Sequence, residues 1–197
     1  MTGSTDKRLS ARVKLLLILA TAVGPIILAY IFYFYFSDFA PAEGTNEGHL
    51  ILPPRHVEEI AAEPGKEIPR GQWAMLMLTG PECDQDCERL MYLSRQVHRG
   101  LGKDAERVER YLLVGGNNLS ASFRRLIEAD YPDIQVRYYL RTSLNGVFEK
   151  VVEAPMDGDY IFLMDPNGNI MMYYTSDLAG KPMLSDLKHL LKISTIG

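Results

Sequence analysis

Leu15 to Phe36 form a run of 22 residues without a charge, long enough as a helix to span roughly 30 Å of hydrocarbon. Beyond it the apolar residues come in short blocks with changing period. His49–Leu52, followed by Pro53-Pro54, predicts a short edge strand, since proline is kept out of central ones. One turn of helix is expected at His56–Ala62. Trp73–Thr79 predicts a strand, and Asp84 to about Leu101 a helix with Leu90, Leu93 and Val97 at helical spacing. Val108–Val114 is a second strand ended by Gly115-Gly116. Asn118 is the expected cap of a helix to about Ala129. Tyr131-Pro132-Asp133 turns into a third strand over Ile134–Leu140. Thr142–Val152 predicts a helix that Asn145-Gly146 weakens. The apolar strand Tyr160–Met164, the turn Asp165–Gly168 and the strand Ile170–Tyr174 make a hairpin. Ser185–Ile193 closes the chain as a helix. The order β-α-β-α-β-(α)-β-β-α implies an α/β fold, a mixed sheet with helices on both faces.

Charge changes the picture at the N-terminus. Lys7, Arg8, Arg12 and Lys14 precede the apolar run against one acid, Asp6, which orients a membrane helix with its N-terminus in the cytoplasm. Tyr30, Phe32, Tyr33, Phe34, Tyr35, Phe36 and Phe39 load the far end with the aromatics typical of a membrane interface. A cleaved signal peptide is the competing reading. Its apolar region runs only about 7–15 residues and closes on small residues; here Ala40-Pro41-Ala42 is the one cleavage-like sequence. The expected organisation is a basic cytoplasmic segment at 1–14, a transmembrane helix at 15–36, a tether and lead-in at 37–70, and an exported domain at 71–197. That places a single-pass protein in a bacterial inner membrane with its C-terminal domain in the periplasm. The chain has 21 basic and 25 acidic residues, and with four of the basic ones before the anchor the exported part is acidic. Acidity of that kind argues against nucleic acid as a partner. Pairs such as Asp104/Arg107 and Glu106/Arg110 read as a solvated surface.

The candidate chemistry is the pair Cys83 and Cys87, the only cysteines, placed where the first core strand gives way to a helix. A spacing of four puts both on one face of a helical turn with Cα atoms roughly 6 Å apart, within reach of a disulfide. Two thiolates on that face equally suit a soft cation such as Cu(I), and a static disulfide clipping the helix start is the plain alternative. The helix dipole favours a thiolate there, whereas Glu82, Asp84, Asp86 and Glu88 oppose it, with Arg89 the nearest positive charge in sequence. Met156 is a soft candidate ligand, although most methionines, Met75, Met77 and Met164 among them, fit as core filler. His98 and His189 fall on expected helices, and His49 and His56 in the lead-in. No Ser-His-Asp set, HExxH, P-loop or GxGxxG is present, so hydrolase, zinc-protease and nucleotide chemistry lack a motif.

The element order is a thioredoxin-like arrangement. With the anchor, the C-x3-C pair and the hairpin Tyr160-IFLMDPNG, the chain from about Gly71 onward resembles the Sco/SenC type of membrane-anchored thioredoxin-fold protein. GHLILPPR at 48–55 and RQVHRGLGKDAERVER at 95–110 are similar to a divergent Sco-like branch associated with bacterial cytochrome oxidase genes. The resemblance implies copper, Cu(I) or Cu(II), held by the two cysteines and a distal histidine. It also implies help in building the binuclear copper site of cytochrome c oxidase, with an oxidase subunit or another assembly factor as partner and the membrane engaged through the chain's own helix. The cysteines carry over to Cys83 and Cys87; the histidine position falls near Asp157, and the prolines that usually follow the cysteines are replaced by Asp84 and Glu88. The expected function is copper handling or thiol reduction during oxidase assembly. The rivals are a general thiol–disulfide oxidoreductase and a non-catalytic interaction module.

Overall fold

The computed structural model describes residues 11–35, 46–62, 67–156 and 160–196. The chain divides into two compact units, 1–45 and 46–197. In the first, α1 (Ala11–Tyr35) is a helix of 25 residues with Pro25 inside it. Its stretch Arg12–Ile31 is long and apolar enough to cross a membrane, and none of that window is buried within the protein. Thr21, whose carbonyl loses its helical donor at Pro25, turns its own hydroxyl back to the carbonyls of Leu17 and Ile18.

The second unit is a mixed six-stranded sheet. Its strands are β1 (His49–His56), β2 (Trp73–Thr79), β3 (Val108–Gly115), β4 (Gln135–Tyr139), β5 (Tyr160–Met164) and β6 (Asn169–Thr175). They lie in the order β1-β6-β5-β2-β3-β4. β2, β3 and β4 are parallel, while β5, β6 and β1 add on antiparallel. All seven residues of β2 are buried, as befits a strand covered on both faces. Alternation sorts its side chains. Trp73, Met75 and Met77 pack with α2 (Gln85–Gly100), α3 (Ala121–Asp130) and α5 (Lys181–Ile193). Ala74, Leu76 and Leu78 pack with α4 (Arg141–Phe148) and with Val57, Ile60 and Ile68 of the lead-in. Helices therefore cover both faces, as the periodicity implied.

The departures have local causes. β1 does not stop before its prolines but runs to His56, its register against β6 shifting between Leu50 and Arg55; an edge position tolerates the missing N–H groups. Residues 49–60 of the lead-in thus share the sheet and its core. The cap of α3 is Ser120, whose hydroxyl accepts from Phe123 N, rather than Asn118. α4 ends at Phe148, and α5 starts earlier than Ser185, at Lys181, with a proline in its first turn.

The expectation of a solvated surface around Arg107 and Arg110 is corrected. Arg110, on β3, is 1% exposed. Its guanidinium donates to Asp133 Oδ2 at 2.8 Å, to Ser94 Oγ at 2.8 Å and to Met91 O at 3.3 Å. Arg107 donates to the carbonyls of Leu191 and Ser194, fastening the C-terminal segment. Buried charge needs such partners, and the short sequence separation to nearby acids did not disclose them.

Candidate functional site

β2 delivers the chain to the carboxyl end of the parallel strands, where Gly80-Pro81-Glu82 lead into α2. The Asp84 carboxylate caps that helix by accepting from Cys87 N at 3.0 Å. Cys83 therefore lies just outside the helix and Cys87 in its first turn, so the pair spans the cap and does not share one helical face. Their Cα atoms are 5.3 Å apart and the two sulfurs are joined as a disulfide. Cys87 is 5% exposed and packs into the core, while Cys83 is only partly buried. Thr79 Oγ1 lies 3.7 Å from Cys87 Sγ, and Met91 Sδ lies 3.9 Å from Cys83 Sγ.

The disulfide separates two clefts. One, of about 470 Å³, is lined by Thr79, Glu82, Asp84, Cys87, Arg141 and Met156. The other, of about 460 Å³, is lined by Glu82, Cys83, Glu88, Ser120, Ser122 and Phe123. The loop between them is braced by Ser120 N donating to Pro81 O at 2.8 Å. Glu82, Asp84, Asp86 and Glu88 are all exposed around the pair. Arg141, from the start of α4, is the one basic side chain among those lining the Cys87 cleft, so the compensating charge on that side comes from a different part of the chain than Arg89.

Behind the pair, Arg110 ties the second turn of α2 to β3 through Met91 O, the same residue whose sulfur meets Cys83. Burial lowers the Arg110 pKa, offset by the charge and hydrogen bond of Asp133. Burial alone pushes the Asp133 carboxyl up. The neighbouring guanidinium outweighs it and holds Asp133 below its usual 3.8.

None of the four histidines lines either cleft. His49 stacks on Tyr173 with ring centroids 4.8 Å apart. His56 Nδ1 accepts from Glu58 N. The Nε2 of His98 meets the carbonyls of Ala105 and Val108. His189 is exposed on α5. Asp157 lies outside the described residues. Among the described residues no group of three or more histidine, cysteine, aspartate and glutamate side chains could hold a metal. Met156, 6% exposed and part of the core under α4, is the other sulfur-bearing residue lining the Cys87 cleft. Arg141 and Ser120 reach the site from separate elements, so local spacing could not pick them out, whereas Met156, singled out in the sequence for its sulfur, does line the Cys87 cleft. One signal was readable: ligands gather at the carboxyl ends of parallel strands, and Arg141 directly follows the third of them.

A family model described as "transmembrane-like, thioredoxin-like, C-terminal domain" matches residues 73–194. The apo Sco1 protein of Thermus thermophilus is similar in structure, with a TM-score of 0.54 at 15% identity, covering 77% of this chain and 98% of that one. Yeast Sco1 has a TM-score of 0.51 at 12% identity, covering 64% and 83%. At these identities the likeness is one of fold. No curated protein matches the sequence.

Proposed function

This chain belongs to the transmembrane-like, thioredoxin-like C-terminal domain family, and from that premise we propose that it is a membrane-tethered, Sco-like assembly factor for cytochrome c oxidase. In this reading α1 holds it in a bacterial inner membrane, N-terminus in the cytoplasm, and the sheet domain works in the periplasm. Cys83 and Cys87 carry the chemistry. They reduce a disulfide in the copper-site segment of an oxidase subunit, and when reduced they receive copper as cargo.

The observation that carries the reading is the disulfide at the carboxyl end of the parallel strands, with Cys83 partly exposed and Cys87 lining a cleft. In the reduced pair the Cys83 thiolate attacks one sulfur of the client disulfide. A mixed disulfide forms and the client's other sulfur leaves as a thiolate that takes up a proton. Cys87, having lost its own proton, then attacks Cys83 Sγ; the internal disulfide closes and the client departs as a dithiol. Two electrons pass to the client, and a dithiol donor must restore the pair. In this reading the Cys83–Cys87 disulfide is the oxidised end of that cycle. A purely structural role is weakly supported, because a bridge between residues four apart closes so small a loop that its chain-entropy contribution is about 2 kcal/mol.

A general thiol–disulfide oxidoreductase is a second reading, favoured by the formed disulfide at the start of α2, since thiol exchange asks for no ligand beyond the pair itself. Replacing both cysteines, Cys83→Ser with Cys87→Ser, tests the proposal in cells. Loss of assembled oxidase is expected. Restoration by added copper would mark delivery of the metal, and loss that copper does not restore would mark thiol reduction. Unchanged oxidase assembly would overturn the proposal, and turnover of small disulfides with no effect on the oxidase would favour the second reading.

A further inference from the structure

We infer that the client polypeptide docks in the cleft at Cys83, and that this cleft selects a segment carrying Lys or Arg beside the disulfide to be reduced. The assignment rests on the thiol-reduction half of the proposed function and adds the chemistry of the client.

The two cysteines are not equally open. Cys87 is 5% exposed and packs into the core, whereas Cys83 is partly exposed and lines the cleft between α2 and the start of α3. A client disulfide must reach the attacking sulfur, so the wall that Cys83 shares with α3 is the one it touches. That wall is apolar at Phe123 and Leu126. It is also fixed in place, because Ser120 N donates to Pro81 O at 2.8 Å and pins the loop before α3 to the loop before α2. An apolar residue of the client next to the basic one fits there.

Charge sorts the two clefts. The Cys83 lining holds Glu82 and Glu88 with no Lys or Arg, while the Cys87 lining sets Arg141 against Glu82 and Asp84. Glu82 and Glu88 are exposed, and neither is in an ion pair among the described residues. The helix ends soften this charge without reversing it. α2 and α3 both begin at the cleft, each with about half a positive charge at its N-terminus. Those ends already hold caps, the Asp84 carboxylate accepting from Cys87 N and the Ser120 hydroxyl from Phe123 N. The carboxylates remain in excess, and the attacking Cys83 thiolate adds one more negative charge. A cation on the client offsets that accumulation, and a client acid adds to it. The step itself balances: the bond between Cys83 Sγ and one client sulfur forms, the client S–S bond breaks, and the departing thiolate takes a proton from water. A dithiol donor later restores the pair.

The test uses the full-length chain in a non-ionic detergent, with Cys87→Ser so that the mixed disulfide at Cys83 persists. The clients are three single-cysteine peptides, each capped by mercaptoethanol as a disulfide and differing only in whether Lys, Gln or Glu flanks the cysteine. Mass spectrometry follows the peptide adduct, and each rate is divided by that peptide's rate with free mercaptoethanol, an uncharged thiol. At about 20 mM salt the Lys peptide is expected to react about tenfold faster than the Glu peptide, with Gln between them, and the gap should narrow at about 500 mM. Adding Glu82→Gln and Glu88→Gln should bring the ratio near unity. Glu128→Gln, exposed on α3 and outside the cleft lining, should leave it in place. Equal rates for the three peptides, or a ratio that survives loss of both cleft carboxylates, would overturn the assignment. So would a ratio that falls as far with Glu128→Gln, since the acidity of the whole domain would then draw the client. Adducts with none of the peptides would overturn the thiol-reduction reading itself.

Discussion

Arg110 is a buried cation whose ion-pair partner, Asp133, has a side chain that is 48% exposed. The two halves of this pair should respond differently to replacement. Arg110→Met fills the site with apolar volume and leaves a carboxylate that can still reach water. Asp133→Ala leaves the guanidinium buried with only Ser94, Met91 and the Tyr131 ring for company. Breaking a fully buried pair costs about 3–5 kcal/mol. With Asp133 half exposed we expect Asp133→Ala at or below the low end of that range, and Arg110→Met below Asp133→Ala, by urea unfolding. The pair also sets an acid limit. The folded pKa of Asp133 lies below its usual 3.8, so its contribution is fully present above that value and fades as pH falls through the folded pKa. Asp133→Asn should flatten the loss of stability on acidification below about pH 4. A buried acid, Asp186, gathers three donors: Glu47 N, Gly48 N and the Tyr174 hydroxyl, at 2.9–3.0 Å. Burial, with Asp186 adding to it, drives the Tyr174 pKa upward, so this hydroxyl stays a donor. Asp186→Ala strands these groups and should cost about 2–3 kcal/mol.

Helix α2 owes its start to one side chain and its clip to two. Asp84→Ala removes the acceptor of Cys87 N and should cost about 1 kcal/mol. Reducing the disulfide should cost about 2 kcal/mol, read as a small drop in melting temperature with the fold retained. A far larger loss would point to a clip that matters chiefly for stability. The strands were readable because β2, β5 and β6 keep unbroken apolar or alternating runs, and Asp165-Pro166-Asn167-Gly168 forms the turn its residues demand, with Asp165 Oδ1 accepting from Asn167 N and Asn169 N. The cap of α3 was misplaced by two residues since Asn118 and Ser120 are both good caps, and only the brace from Ser120 N to Pro81 O decides between them. Arg110 was hidden for a related reason: a charge in a strand has no periodicity signal that distinguishes paired burial from exposure. The cysteine pair stood out from its position after β2 and Met156 from its sulfur, yet Arg141 enters the Cys87 cleft from more than fifty positions away, where contact depends on the assembled sheet.

The assembled sheet explains why chemistry collects at one end. β2, β3 and β4 all run toward the edge that carries Cys83, Gly116 and Arg141, so three loops converge there. The apolar helix α1 belongs to a separate unit. If it anchors the chain as proposed, the full-length protein should sediment with membranes and resist extraction at alkaline pH, whereas a chain starting at Asn46 should be recovered in the soluble fraction with its disulfide formed. The contacts of Asp186 have a mechanical meaning for such an arrangement. A pull along the polypeptide from its N-terminal side reaches the sheet domain at Asn46, immediately before the two backbone groups that this carboxylate holds. The load passes to α5 before it can peel β1 from β6, one bridge at a time from His49 and Tyr173 onward. Under stretching, the edge strand of Asp186→Ala should therefore detach at lower force than in the wild type, and a protein moored at one end would lose the fastening that keeps its outermost strand in place.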